Sequence, residues 1–341
     1  MTQKVTVAID AMGGDHAPHA VIEGISRSAK SDQDLSFLVF GDKQQISPLL
    51  AKFPHLDGRV TVTHTDVVVL PDDKPRDAMR SKRAGSSMRL AVEAVRDGEA
   101  DYCVSAGNTG ALLTVATLVL RHVPGIDRSA IIAPFPTDKK PLAFLDLGAN
   151  LDVTARYLLQ FGIMGAIYSR IIFDIDRPTI GLMNIGTEEG KGRGVLQEAR
   201  TLLAEATLPG DFVGFVEPHD ISHGDTNVVV ADGVTGNIAI KMSEGIANFV
   251  SRQIRKEIKS DFLSMIGGLL ARGAFQRARR NIDPRNFNGG MFIGVDGVVM
   301  KSHGSSDATA HQNAIFNGAK LARRQITQQI RDALSDFQSH S

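Results

Sequence analysis

Short runs of β-branched and apolar residues recur along the chain, separated by stretches whose apolar positions repeat every three to four residues. The first kind of run predicts strands over Val5–Asp10, Ser36–Gly41, Arg59–Thr63, Asp101–Val104, Ala130–Pro134, Leu142–Asp146, Thr179–Met183, Asp211–Val216, Asn227–Ala231 and Met291–Val295. The second kind predicts helices such as Arg83–Asp97, Thr109–His122, Ala155–Ile172 and Gly194–Ala206. Regular alternation of the two points to an α/β fold, a three-layer α-β-α sandwich with a largely parallel sheet and one antiparallel portion. Neither an internal repeat nor a low-complexity linker interrupts the pattern. Residues 1–341 are therefore read as a single unit, in two lobes without a visible boundary.

In open α/β sheets ligands bind beyond the carboxyl ends of the strands. Three polar, glycine-containing loops stand there, each between a strand and a helix: Ser105–Ala111, Asn184–Gly192 and Asp232–Asn237. Two shorter segments, Asp10–His16 and Asp146–Asn150, join them. Glycine admits close backbone approach, and a helix start presents unpaired N–H groups to an anion. Gly13, Gly14, Gly107, Asn108, Thr109, Gly110, Asn184, Thr187, Thr235 and Gly236 are thus candidate donors to phosphate or an oxyanion. Each loop read singly is equally a capped turn, and Asp10, Asp15, Asp146 and Asp232 are caps more readily than a cation site.

Lys191 brings a cation to the second loop, and Asn237 a donor to the third. The Lys191 loop has neither the Walker spacing nor the third glycine of a dinucleotide fingerprint. His16, exposed by its glycine neighbours, is a candidate proton carrier. Arg80, Lys82 and Ser86 form a basic and hydroxyl cluster before a helix, suited to phosphate or to an acidic carrier protein. Cys103, inside a strand, reads as a small buried hydrophobe.

Composition narrows the field. Lys+Arg and Asp+Glu both number 38, so no basic excess points to nucleic acid, and the absence of Trp removes a base-stacking platform. One cysteine rules out an intrachain disulfide and a multi-thiolate zinc site. No clustered spacing argues for a metal, and no cofactor is expected. The amino terminus opens directly on a strand pattern and no apolar run reaches spanning length, so a cytoplasmic location is expected.

One segment departs from the rest, residues 249–283. Val250, Ile254, Ile258, Phe262, Ile266 and Leu270 recur every fourth position, the mark of an amphipathic helix. Between Arg252 and Arg280 eight basic residues face two acidic ones. Gly267-Gly268 suggests a bend and hence a protruding helical hairpin. Phe262, Leu263, Ile266, Leu269 and Leu270 would be its tip, for an anionic membrane or a partner, with a core or dimer helix as the plainer reading.

Taken together, DAMGGD at Asp10–Asp15, SAGNTGA at Ser105–Ala111, DLGAN at Asp146–Asn150, NIGTEE at Asn184–Glu189 with Lys191-Gly192, DGVTGN at Asp232–Asn237 and HGS at His303–Ser305 resemble the bacterial phosphate acyltransferase family. The resemblance runs nearly end to end. It implies a fold similar to isocitrate and isopropylmalate dehydrogenases and phosphotransacetylase. It also implies a homodimer that makes acyl phosphate from long-chain acyl-acyl carrier protein and inorganic phosphate. His16, Lys191 and Asn237 would be its catalytic residues. The product would pass to a membrane glycerol-3-phosphate acyltransferase, which places the protein at the inner face of the cell membrane. Val234, Asn227 and Pro218 depart from the Phe, Asp and Gly usual in the family. A phosphotransacetylase acting on a coenzyme A thioester, a dehydrogenase of the same fold, and a non-catalytic membrane scaffold are the alternatives.

Overall fold

The computed structural model describes residues 3–70, 72–74, 84–188, 190–192, 194–281 and 289–339. Eleven strands form one sheet: β1 (Val5–Asp10), β2 (Leu35–Gly41), β3 (Val60–His64), β4 (Tyr102–Ser105), β5 (Ala130–Phe135), β6 (Leu142–Leu145), β7 (Thr179–Met183), β8 (Asp211–Val216), β9 (Val228–Val230), β10 (Gly290–Ile293) and β11 (Val298–Lys301). Their order across the sheet is β3-β2-β1-β4-β11-β10-β5-β6-β9-β7-β8. Every predicted strand is present with ends shifted by a residue or two, and β11 is added. Asp296-Gly297, a two-residue hairpin signal, precedes β11 and pairs it antiparallel with β10.

Helices cover both faces. On one lie α1 (His19–Ser31), α5 (Ala155–Phe173), α6 (Gly194–Glu205), α10 (Ala308–Arg323) and α11 (Ile326–Ser339), with α2 (Lys43–Leu50) beside α1. On the other lie α3 (Ser87–Arg96), α4 (Thr109–Leu120) and the first turns of α7 (Gly233–Ile258). Strand alternation feeds both layers: Val7 and Ile9 of β1 point to the first and Ala8 to the second. Tyr102 and Val104 of β4 likewise oppose Cys103, whose thiol is pushed up by burial and stays inert.

Strand direction places the loops. β1, β2, β3, β4 and β11 run parallel to one another. β10 reverses against β11, β5 against β10, and β6 against β5. β9, β7 and β8 then follow β6 in parallel. Three reversals leave β6, β9 and β7 pointing opposite to β1, β4 and β11. The expectation that all the glycine loops share the carboxyl edge of one parallel sheet is therefore corrected: they divide between opposite edges.

The basic amphipathic stretch belongs to a longer element than its sequence stripe suggested. α7 starts in the third loop and runs unbroken for 26 residues, about 39 Å at helical rise. α8 (Phe262–Leu270) then packs back on it, and α9 (Arg272–Asn281) follows. The turn falls at Lys259–Asp261, where Asp261 caps α8 by accepting from the Ser264 N–H at 2.8 Å. Gly267 and Gly268 lie inside α8, which corrects the bend expected there; a β-carbon on Gly268 would collide with Ile258 of α7. Gly268 serves close helix packing, while Gly267 faces open space. Phe262, Leu263, Ile266, Leu269 and Leu270 all face solvent, from 42% exposure at Ile266 to 84% at Leu270. Among the described residues no helix is long and apolar enough to cross a membrane.

Candidate active site

Three adjacent strands, β1, β4 and β11, end at the first edge. Asp10 closes β1 fully buried, and Ser105 at the end of β4 donates its hydroxyl to Asp10 Oδ2 at 2.6 Å. The Gly107 N–H donates to Ser105 Oγ at 3.1 Å, so one carboxylate steers the backbone of the second segment. Burial pushes the Asp10 carboxyl upward, and the Ser105 hydrogen bond works against that. Gly13 is glycine for want of room: a β-carbon there would stand 2.6 Å from Asp10 Oδ2 and 2.7 Å from the Gly107 nitrogen. Gly14, at φ +100°, lies against Ala106 and the Gly304 carbonyl, and Asp15 N–H donates to that carbonyl at 2.8 Å. The DAMGGD, SAGNTGA and HGS segments thus interlock, with His16 exposed beside them.

Asn108 caps α4, its Oδ1 accepting from the Ala111 N–H at 3.0 Å. The Thr109 and Gly110 N–H groups have no intrahelical acceptor, as at any helix start. That positive helix end is a ready anion cradle. On the neighbouring strand Lys301, the last residue of β11, pairs in register with Ser105 and donates to the Ser302 carbonyl. Burial pulls its ammonium down to about 8, while the charges of Asp10 and Asp15 hold it up. Sequence reading missed Lys301 because it missed the strand that carries it.

The second edge gathers the ends of β6, β9 and β7. Asp146 is wholly buried and its oxygens are committed: Oδ1 accepts from the Ile131, Gly148 and Ala149 N–H groups, Oδ2 from the Asn150 N–H and side chain. Asp232 caps α7, accepting from the Thr235 N–H at 2.8 Å and from the Thr235 hydroxyl at 3.0 Å. Gly236 packs so closely on the Asp146 carbonyl that a β-carbon would overlap it, which locks the third loop onto Asp146–Asn150. Asn237 then projects, exposed, beside Gly148.

Asn184 follows β7 directly, and its Nδ2 donates to the Lys191 carbonyl at 3.0 Å, which Gln197 also reaches. Its Oδ1 is buried and meets no partner among the described residues. Lys191 lies across Gly186 and pairs with Glu188 at 2.6 Å, an exposed contact that holds the ammonium above its ordinary value. Exposed pairs of this kind are held only weakly, so an arriving anion can compete for Lys191. Thr187 stands exposed on the same loop.

The structure brings Gly13, Gly14, His16, Gly107, Asn108, Thr109 and Gly110 together at one edge, and Asn184, Thr187, Lys191, Thr235, Gly236 and Asn237 at the other. Ser86 is buried and caps α3, accepting from the Arg89 N–H at 3.4 Å. Arg80 and Lys82 lie outside the described residues. Asp10 and Asp15 stand on the opposite edge from Asp146 and Asp232, so these four do not surround one cation. Among the described residues a different donor group lies close together. Glu217, His219 and Asp220, just after β8, sit within 4.8 Å of one another. No spacing in the sequence suggested it, and its contacts are mutual, His219 Nε2 lying 3.2 Å from Asp220 Oδ1.

The departures from the family pattern are accommodated locally. Asn227 Oδ1 accepts from the Thr179 N–H at 3.0 Å and ties the start of β7 to β9. Val234 is half exposed on the first turn of α7.

Comparison with known proteins bears on the family and the fold. The family model described as fatty acid synthesis protein matches residues 5–329. The phosphate acyltransferase of Rhodospirillum centenum is 45% identical over 99% of this chain and 95% of its own. That of Beijerinckia indica is 47% identical over 98% of this chain and 87% of its own. Among solved structures, EutD phosphotransacetylase from Staphylococcus aureus shares the fold at a TM-score of 0.60, with 15% identity over 94% of both chains. Identity at this level across the whole chain, with every loop above inside the matched span, makes the chain a member of the fatty acid synthesis protein family, together with the phosphate acyltransferases.

Proposed function

We propose that this phosphate acyltransferase moves a long-chain acyl group from the thioester of acyl carrier protein to inorganic phosphate. A phosphate oxygen attacks the thioester carbonyl carbon, a tetrahedral oxyanion forms, and the C–S bond breaks. Acyl phosphate and the carrier's free thiol result, the thiolate taking one proton. Phosphate is already a nucleophile, so the protein's work is positioning and charge stabilisation. The observation that carries this reading is that both sheet edges end in anion-seeking groups, with Lys191 and Asn237 on loops of the adjacent strands β7 and β9.

The roles follow from the placement. The Gly107–Gly110 cradle with Gly13 and Gly14 holds phosphate. Lys191, released from Glu188, neutralises it. Asn237 donates to the oxyanion, and His16 carries the proton to the leaving thiol. Since opposite strand directions part these groups within one chain, they serve one reaction across a homodimer, the first edge of one protomer facing Lys191 and Asn237 of the partner subunit. Ile238, Met242, Ile246, Val250 and Ile254 support such a dimer, forming a stripe on α7 that is 43% to 61% exposed. Beyond that stripe, the apolar tip of α8 and the basic residues around it suit an anionic membrane surface and an acidic carrier protein. The location we infer is the cytoplasmic face of the membrane, where a glycerol-3-phosphate acyltransferase would take the acyl phosphate.

The test is to offer phosphate with either long-chain acyl-acyl carrier protein or acetyl-coenzyme A, trapping acyl phosphate with hydroxylamine. Phosphate-dependent hydroxamate from the carrier-protein thioester alone is expected. Faster turnover of acetyl-coenzyme A would move the assignment to a phosphotransacetylase.

A further inference from the structure

We propose that Lys301 is a positioning residue for phosphate, its ammonium offsetting the Asp10 and Asp15 carboxylates so that the Gly107–Gly110 cradle accepts an anion. The proposal rests on the reading that phosphate meets this cradle.

The argument begins with charge. Asp10 is fully buried and braces the cradle through Ser105, and Asp15 flanks it through the Gly304 carbonyl. Two carboxylates under an anion site would repel phosphate. Lys301 ends the strand adjacent to β4, level with Ser105, and the fields of both carboxylates act on it. Among the described residues its ammonium donates to the Ser302 carbonyl, which uses one of its three donors. A largely buried ammonium is costly unless opposite charges favour it, and the charges of Asp10 and Asp15 do so here. The titratable groups on and beside the elements packed around it include Asp10 on β1, Asp15 and His16 before α1, Tyr102 and Cys103 on β4, His303 after β11, Asp307 capping α10, and His311, Lys320 and Arg323 on α10. Burial keeps Cys103 a thiol and His311 neutral near pH 7. The ammonium is therefore a part-buried cation that balances the carboxylates. With Lys301 held at about 8, alkaline solution removes that balance.

The experiment measures initial rates of the full-length wild type, Lys301→Met and Lys301→Arg, varying phosphate at saturating acyl-acyl carrier protein from about pH 6.5 to about 9.5. Lys301→Met is expected to raise KM for phosphate about tenfold at neutral pH, with kcat and the KM for acyl donor within about twofold. The wild-type KM for phosphate should climb above about pH 8, and that of Lys301→Arg, whose guanidinium keeps its proton, should not. Phosphate's own ionisation is common to all three proteins and cancels in the comparison. An unchanged KM for phosphate in Lys301→Met, or a loss confined to kcat, overturns the proposal. So does an identical alkaline rise in wild type and Lys301→Arg. That last comparison decides the matter should Lys301→Met fail to fold. Wild type without phosphate-dependent turnover would sink the underlying reading as well; wild-type turnover with an unmoved KM in Lys301→Met sinks this proposal alone.

Discussion

Asp10, Asp146 and Asp232 look alike in sequence, each ending a strand before a glycine-bearing turn, yet the fold gives them different work. Asp146 and Asp232 accept from the backbone N–H groups of their own corners, as caps do, and Asp146 also takes the Ile131 N–H of β5. Asp10 reaches across to Ser105 on the neighbouring strand, a pairing 95 residues apart that no local pattern reveals. Ser105→Ala would strip a buried carboxylate of its donor and the Gly107 N–H of its acceptor. It should lower the free energy of unfolding by roughly 2 kcal/mol in urea titrations; a change below about 0.5 kcal/mol would mean the pair braces nothing. His311 gives a pH signature. Burial and the nearby Lys301 draw its imidazole down to about 4. Between pH 6.5 and about 4 the unfolded chain takes up a proton that the folded chain refuses, so stability is full above this window and falls on acidification. The loss is at most about 3 kcal/mol, and His311→Gln should flatten stability across that interval.

At the scale of elements, periodicity located most strands and helices because each buries one regular face in the core. The failures share a cause, which is contact between segments. β11 is four residues long, recognisable only through its hairpin with β10. Gly267-Gly268 reads as a helix breaker until Ile258 is seen against it. The hairpin of α7 and α8 yields its own test. Leu269→Glu/Leu270→Glu, which alters only exposed positions, should abolish flotation with anionic vesicles and leave the melting temperature and dimer intact. Equal flotation of wild type and variant would reject the membrane role; loss of the dimer would make the tip a subunit interface.

For the whole molecule, the layers and the mainly parallel sheet were legible in the order of strands and helices. The division of the loops was not, because strand direction depends on which strands become neighbours. Three antiparallel steps in the middle of the sheet carry Lys191 and Asn237 to the edge away from His16 and the Gly107–Gly110 cradle. The residues were identifiable one by one from motif and charge; their grouping required the fold. On the proposed reading each chain carries two half-sites and a second chain supplies the other half. Lys191→Ala and Asn237→Ala should therefore each lower kcat/KM by about a hundredfold or more, with unchanged circular dichroism. The most direct measurement mixes two inactive proteins, Lys191→Ala and His16→Ala, under conditions where subunits exchange. A site shared across the dimer predicts recovery to about a quarter of wild-type activity, since half the dimers are mixed and each then holds one intact site of two. Activity that stays at the level of the separate variants would contradict the shared site.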